Sequence, residues 1–169
     1  TLTERDTCPT TCHHWEDCYG NNMPFAHRFS TNGLTDKLEQ EIGRLVCKHR
    51  EGIVIRLHVL GDFYSVDYVK FWEQMLYQFP TLCVFGYTGR ELASPIGSAV
   101  HLLNIRHPER FVVRFSQNNE STEAGKWYAA EENFKGRHFD CPEQSGRLPS
   151  CAACGLCWQA QNTVRFKTH

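Results

Sequence analysis

The segment IVIRLHVLGDFYS, residues 53–65, decides the fold. Its first eight residues are apolar or β-branched on one parity, and this pattern predicts a strand over 53–60. Gly61-Asp62 ends that strand, and Ser65 supplies a side-chain cap for a helix. A strand, a short loop and a capped helix in this order are typical of a parallel α/β unit.

The same alternation continues on both sides of this segment. Apolar residues recur at helical spacing from Leu34 to Val46, and Ser94-Pro95 has the order of a cap followed by a first-turn proline. Strands that alternate with helices of this length imply parallel pairing through right-handed crossovers. The predicted elements are helices over 34–46, 65–79, 95–103 and 123–133, and strands over 53–60, 82–88 and 110–116.

We therefore expect one α/β domain, either a small parallel sheet with crossover helices or a partial β/α barrel, with cysteine-rich loops at both ends. A length of 169 residues suits one domain with a sizeable core. Within it we distinguish an N-terminal cysteine loop over 1–30, a β/α core over 31–135 and a cluster-binding tail over 136–169.

The tail contains the strongest metal-binding pattern in the chain. Cys141-Pro142 precedes the run Cys151-Ala-Ala-Cys154-Gly-Leu-Cys157. Three thiols at two-residue gaps with a remote Cys-Pro form the ligand pattern of ferredoxin-type loops that hold a [4Fe–4S] cluster. A zinc ion also accepts four cysteines, although zinc sites usually draw them as two separated pairs. Disulfides or inert thiols are the remaining alternative.

A second cysteine set, Cys8, Cys12 and Cys18, opens the chain. On a [4Fe–4S] cluster three cysteines leave one iron open for a substrate, a cofactor or a histidine, and His13 and His14 lie within the loop. A zinc site built from cysteine and histidine is the alternative. Because chain ends in compact domains often lie close together, the two sets hold either two clusters or one shared cluster.

Composition indicates the class of protein but not its reaction. The nine cysteines are an odd number, which argues against a closed disulfide framework. The net charge of −1 gives no electrostatic footprint for nucleic acid or acidic membranes. The start is polar rather than signal-like, and the longest apolar stretch is too short to cross a bilayer. We expect a cytoplasmic protein with no nucleic-acid or membrane partner.

Polar side chains occupy one face of two predicted strands near their carboxyl ends. Arg56 and His58 share a face of the first strand, as Arg114 and Ser116 do on the strand over 110–116. Parallel α/β folds bind ligands at these ends, so arginines could bind a carboxylate and Asp62 an amino group. The alternative is that they are solvent-facing edge residues and a loop start. The candidate small-molecule contacts are Arg56, His58, Gly61, Asp62, Thr88, Arg114 and Ser116.

The other cysteines and a nearby histidine have simpler interpretations. Cys47 and Cys83 lie in a predicted helix and a predicted strand, which indicates core or boundary residues rather than ligands. His138 lies three residues before Cys141, where it could support or join the ligand set.

A three-cysteine loop, a helix, and a strand ending in Gly61-Asp62 before another helix resemble the first half of a radical S-adenosylmethionine domain. The resemblance implies S-adenosylmethionine as a cofactor on the open iron, with Leu60-Gly61-Asp62 near its amino group. More closely, the chain resembles a family of small phage-encoded proteins of unassigned role. The shared motifs are Cys8-Pro9, Gly61-Asp62-Phe63-Tyr64-Ser65, Gly86-Tyr87-Thr88 and Cys154-Gly-Leu-Cys157-Trp158.

These observations predict an iron–sulfur protein with one or two [4Fe–4S] clusters, held by Cys8, Cys12 and Cys18 and by the four cysteines of the tail. The function expected is a redox or radical S-adenosylmethionine-like enzyme that acts on a small molecule in the host cytoplasm. The alternative is a non-catalytic binding module stabilised by a cluster or by zinc. Neither a substrate nor a redox partner follows from the sequence.

Overall fold

The computed structural model describes residues 1–117 and 123–167, and its strands form one six-stranded, all-parallel sheet. The strand order is β1-β2-β3-β4-β6-β5, so β1 and β5 are the edges. This confirms the small parallel sheet expected from the sequence. The strands are β1 Ile53–Leu57, β2 Leu82–Thr88, β3 Phe111–Ser116, β4 Tyr128–Ala130, β5 His138–Asp140 and β6 Thr163–Arg165.

The helices that connect the first strands begin where the capping residues predict. Ser65 Oγ accepts a hydrogen bond from the backbone N–H of Tyr68 at 3.1 Å, and Ser94 Oγ accepts one from that of Gly97 at 3.0 Å. No helix in the described ranges has the length and apolar character that crossing a membrane requires. The helices are α1 Glu4–Thr7, α2 Leu34–Lys48, α3 Val66–Gln78, α4 Pro95–Arg106, α5 Cys151–Cys154 and α6 Leu156–Gln159, with a 3-10 turn at Tyr19–Asn22.

The helix predicted over 123–133 is wrong, because this segment contains β4. Its residues pair in parallel with β3 on one side and with β6 on the other. Pairing with a distant part of the chain therefore overrides a local helical preference. Strands β4, β5 and β6 have three residues each, too few to show a period of two in the sequence.

One face of the sheet packs against the helices to form the main core. Leu57, Val84 and Phe111 point to this face, where they meet Trp72 and Leu76 of α3. All five side chains are at most 5% exposed. Burial of this many large apolar groups is the main source of folding free energy for the domain.

The opposite face is covered by the C-terminal tail. Phe85 and Val112 pack there against Cys141, Cys157 and Val164, which are themselves buried. This second layer is small and contains two of the predicted metal ligands.

Arg114 fixes the tail to the sheet. Its side chain is fully buried, and its guanidinium donates to the backbone carbonyls of Cys157 and Ala160 at 2.9 Å and of Asn162 at 3.0 Å. A further bond reaches the carbonyl of Tyr128 in β4 at 3.3 Å. One cation therefore satisfies acceptors from four positions that are distant from it in sequence.

Replacing Arg114 with alanine should lower the free energy of unfolding by about 3 kcal/mol or more, because buried carbonyls would lose charged donors. Urea denaturation of the purified variant measures this. The control is Arg106→Ala, which removes an exposed ion pair with Glu73 at 2.9 Å and should cost less than about 1 kcal/mol. Equal costs for the two variants would contradict the role assigned to Arg114.

Candidate functional site

A cavity of about 470 Å³ lies at the carboxyl ends of the strands. Ser116 ends β3, Glu131 follows β4, Cys141 follows β5 and Phe166 follows β6, and all four line the cavity. The N-terminal cysteine loop also lines it, through Cys18 among others. The position agrees with the general tendency of parallel sheets to bind ligands at this edge.

The four cysteines of the tail lie in one neighbourhood. Cys151 and Cys154 are the first and last residues of α5, and Cys157 lies in α6. Gly155 connects the two helical turns with φ +67°, a conformation that glycine adopts without strain. The pKa of Cys151 is raised chiefly by burial, and the nearby Cys141 and Cys154 raise it further.

Hydrogen-bond donors point at two of these sulfur atoms. The hydroxyl of Tyr87 donates to Cys157, and the backbone N–H of Gln144 lies 3.5 Å from the Sγ of Cys141. Burial raises the pKa of Cys157, while the Tyr87 donor and the Arg114 charge act in the opposite direction. Tyr87 and Arg114 therefore favour the anionic form of the Cys157 sulfur, the form that binds metals.

The three N-terminal cysteines form a second neighbourhood. Burial raises the pKa of Cys8 to about 12, and Asp62, Cys12 and Cys18 contribute in the same direction. The backbone N–H of His14 donates to the sulfur of Cys12, and that of Gly20 lies 3.4 Å from the Sγ of Cys18. Burial and, to a smaller degree, nearby thiols and Asp62 therefore disfavour the ionised forms of Cys8 and Cys12 unless a cation is present.

Gly61 and Asp62 contact the N-terminal segment where it meets the sheet, and the backbone N–H of Asp62 donates to Thr7 Oγ1 at 3.2 Å. The Asp62 carboxylate is 4% exposed and accepts bonds from Phe63 N–H at 2.6 Å, Thr88 Oγ1 at 2.7 Å and Gly89 N–H at 2.8 Å. Burial raises its pKa to about 6 against the influence of these donors. Gly61 has φ +84°, and a Cβ there would lie 2.6 Å from the Cβ of Leu2. The Asp62 carboxylate is thus occupied by partners at the ends of β1 and β2.

The other candidate contacts divide between the cavity and the interior. Arg56 and Ser116 line the cavity. His58 is turned toward α3, with its Nε2 3.1 Å from the Tyr68 hydroxyl, and burial lowers its pKa to about 3. Arg114 shares its sheet face with Arg56, as strand parity predicts, but lies beneath the tail.

A further group of polar residues crosses the cavity mouth. The Nε2 atoms of His13 and His14 lie 3.0 and 2.6 Å from the same oxygen, Oε1 of Glu131. The histidines were recognised in the sequence, but Glu131 was not. Glu131 directly follows β4, a strand that the sequence does not predict. No local pattern could therefore indicate that Glu131 lies beside His13 and His14.

The cysteines predicted to be inert lie away from this edge. Cys47 is exposed on α2, and Cys83 is half-buried near the start of β2. His138 directs its Nδ1 to the carbonyl of Gly136 at 2.6 Å, which turns that nitrogen away from the tail cysteines.

A protein-family model described as gene product 88 matches residues 3–141. The matched range contains the N-terminal cysteines, the strands β1 to β5 and Cys141, and it ends before Cys151. No curated protein and no solved structure matches the chain.

Replacing Asp62 with asparagine should lower the free energy of unfolding by about 1–3 kcal/mol, because an amide NH₂ would face an N–H or O–H donor that now finds an acceptor. Thermal or urea denaturation tests this. The control Asp67→Asn removes an exposed carboxylate paired with Lys70 and should cost less than about 1 kcal/mol. A fully stable Asp62→Asn protein would show that the three bonds contribute little.

Proposed function

The chain belongs to the gene product 88 family, and we propose that it is an iron–sulfur protein whose two cysteine sets surround a small-molecule cavity. The observation that carries the proposal is that Cys18 and three cysteines of the tail, Cys141, Cys151 and Cys157, line the same cavity although they come from opposite ends of the chain. Such convergence of thiols at a functional edge of the sheet suits a metal centre better than unrelated packing.

The surroundings of the tail cysteines support a [4Fe–4S] cluster held by Cys141, Cys151, Cys154 and Cys157. A cluster with four thiolates carries negative charge, and Arg56 and Arg114 both act on these sulfurs electrostatically. The Tyr87 hydroxyl and the Gln144 amide supply hydrogen bonds to sulfur, one of the means by which proteins set cluster potentials.

The N-terminal set supports a second cluster with one iron free of cysteine. Cys8, Cys12 and Cys18 would hold three irons, and Cys18 lies at the cavity. An open iron at this edge would be accessible to a small molecule, which favours a redox or radical-type enzyme. S-adenosylmethionine is a candidate ligand. Arg56 lines the cavity and could bind its carboxylate. Asp62 is a poorer partner for its amino group, because the Asp62 oxygens already accept three hydrogen bonds.

A structural cluster is the second candidate function. Cys141 and Cys157 are two of the five buried residues in the layer between the tail and the sheet, among the residues that the structure describes. A cluster in this layer would supply folding free energy without any reaction. An electron paramagnetic resonance spectrum of the reduced protein that changes with added S-adenosylmethionine supports an enzyme, whereas an insensitive spectrum favours the structural role.

Anaerobically purified protein should be brown and should contain iron and acid-labile sulfide. Cys154→Ser should lose one cluster's worth of iron, because Cys154 is assigned as a ligand, whereas Cys47→Ser should keep the full iron content. Iron, zinc and sulfide analysis with Mössbauer spectra measures this and counts the clusters. Colourless protein with stoichiometric zinc would overturn the proposal, and iron loss in Cys47→Ser would overturn the division of the cysteines.

Replacing Tyr87 with phenylalanine should make the potential of the tail cluster more negative while iron is retained. The variant removes a hydroxyl that donates to Cys157, and a lost hydrogen bond to sulfur disfavours the reduced cluster, which carries the additional negative charge. A redox titration followed by electron paramagnetic resonance measures the shift. Tyr77→Phe, which alters an exposed ring on α3, is the control and should leave the potential unchanged.

A further inference from the structure

We propose that His13, His14 and Glu131 form a separate site for a single divalent cation, with open coordination positions toward the cavity. One ligand atom from each residue lies within 4.8 Å of the other two. All three residues line the cavity. The donor set, two imidazoles and one carboxylate, suits iron(II), zinc or manganese(II) rather than an iron–sulfur cluster.

The distances require only a small expansion to admit an ion. Ligand atoms about 2.1 Å from a metal stand about 3.0–3.4 Å from each other in octahedral or tetrahedral geometry. The Glu131 oxygen is 3.0 Å from Nε2 of His13 and 2.6 Å from Nε2 of His14. Side-chain movements of less than about 1 Å would therefore place a cation between all three atoms. Such movements are open to Glu131 and both histidines because their side chains are 16% to 40% exposed.

Carboxylates face both ring nitrogens of His14. Its Nδ1 lies 3.2 Å from Asp17 Oδ1, and its Nε2 lies 2.6 Å from Glu131 Oε1. A neutral imidazole has one N–H and can donate to only one of these two acceptors. A second proton on the ring satisfies both acceptors, and so does a metal bound at Nε2 and Glu131, because Nδ1–H then donates to Asp17. This carboxylate–histidine–metal order is common in metal sites.

A buried side-chain amide without a hydrogen-bond partner lines the same cavity. Gln117 follows β3, lines the same cavity and is 6% exposed. Within residues 1–117 and 123–167, neither polar atom of its amide has a hydrogen-bond partner. A buried amide without a partner loses free energy unless a bound molecule supplies one. A small molecule with an oxygen donor for the metal and a polar group for Gln117 would satisfy both.

The same contacts separate this site from the N-terminal cysteines. Both ring nitrogens of His14 face carboxylates, and Nε2 of His13 faces Glu131. Three of the four ring nitrogens of the two histidines therefore already face carboxylates. These contacts favour a separate metal site at His13 and His14 over a role for either histidine as the fourth ligand of an N-terminal cluster.

Manganese(II) titration of the chelator-treated, anaerobically prepared protein tests the site, because thiolates and sulfide discriminate against this hard ion. Electron paramagnetic resonance of free Mn²⁺ should report about one bound ion per chain, and pulsed spectra should show nitrogen coupling from imidazole. Glu131→Gln and His14→Gln should each weaken binding at least about tenfold, whereas the exposed neighbour variant Glu132→Gln should stay within about twofold. The titration is repeated with Co²⁺, which binds such donors more tightly.

The iron content of every variant is measured alongside, so that loss of the fold is distinguished from loss of the site. If Glu131→Gln does not fold, His13→Gln takes its place. Binding of both ions that is unchanged in these variants, or bound Mn²⁺ without nitrogen coupling, would overturn the proposal. So would a His14→Gln protein that loses cluster iron and still binds Mn²⁺, since the histidine would then serve the cluster.

Discussion

The buried guanidinium of Arg114 is the interaction on which the arrangement of the site depends. It extends from β3 to carbonyls in α6, in the turn before β6 and in β4, and so joins the tail to the sheet. A buried arginine is costly unless its donors are satisfied, and within residues 1–117 and 123–167 its acceptors are backbone oxygens rather than a carboxylate. Positive charge therefore remains next to Cys157, where an anionic metal centre would benefit from it.

The two faces of the sheet are covered by different parts of the chain. Helices α2 to α4 cover one face with a well-packed apolar core, whereas a cysteine-rich segment with little regular structure covers the other. The strands end in one direction, so the loops that follow β3, β4, β5 and β6 meet at a single edge. Cysteines from both ends of the sequence therefore line the same cavity, and the helices pack on the opposite face.

The sequence was sufficient for the first half of the fold and insufficient for the second. Ser65 and Ser94 cap helices that begin where predicted, since capping is a local interaction that needs no partner. Strand β4 was mistaken for a helix because its formation depends on β3 and β6. Arg56 and Arg114 lie on one face of the sheet, but His58, which strand parity places beside Arg56, turns to α3 because β1 ends at Leu57. Parity also could not show that the tail buries Arg114. Glu131 was missed for the same reason as β4.

The electrostatics of the cysteines connect these structural facts to metal binding. Burial and neighbouring anions raise the pKa of Cys8, and burial raises those of Cys12, Cys151 and Cys157, so without a cation these thiols stay protonated and hold no charge. A bound metal reverses this preference, because it replaces the protons and converts repulsion between thiolates into shared attraction to one centre. The N-terminal loop and the tail would then be cross-linked to the same edge of the sheet. Arg114 and Asp62 hold the two segments near that edge beforehand, which reduces the conformational entropy that metal binding would otherwise have to overcome.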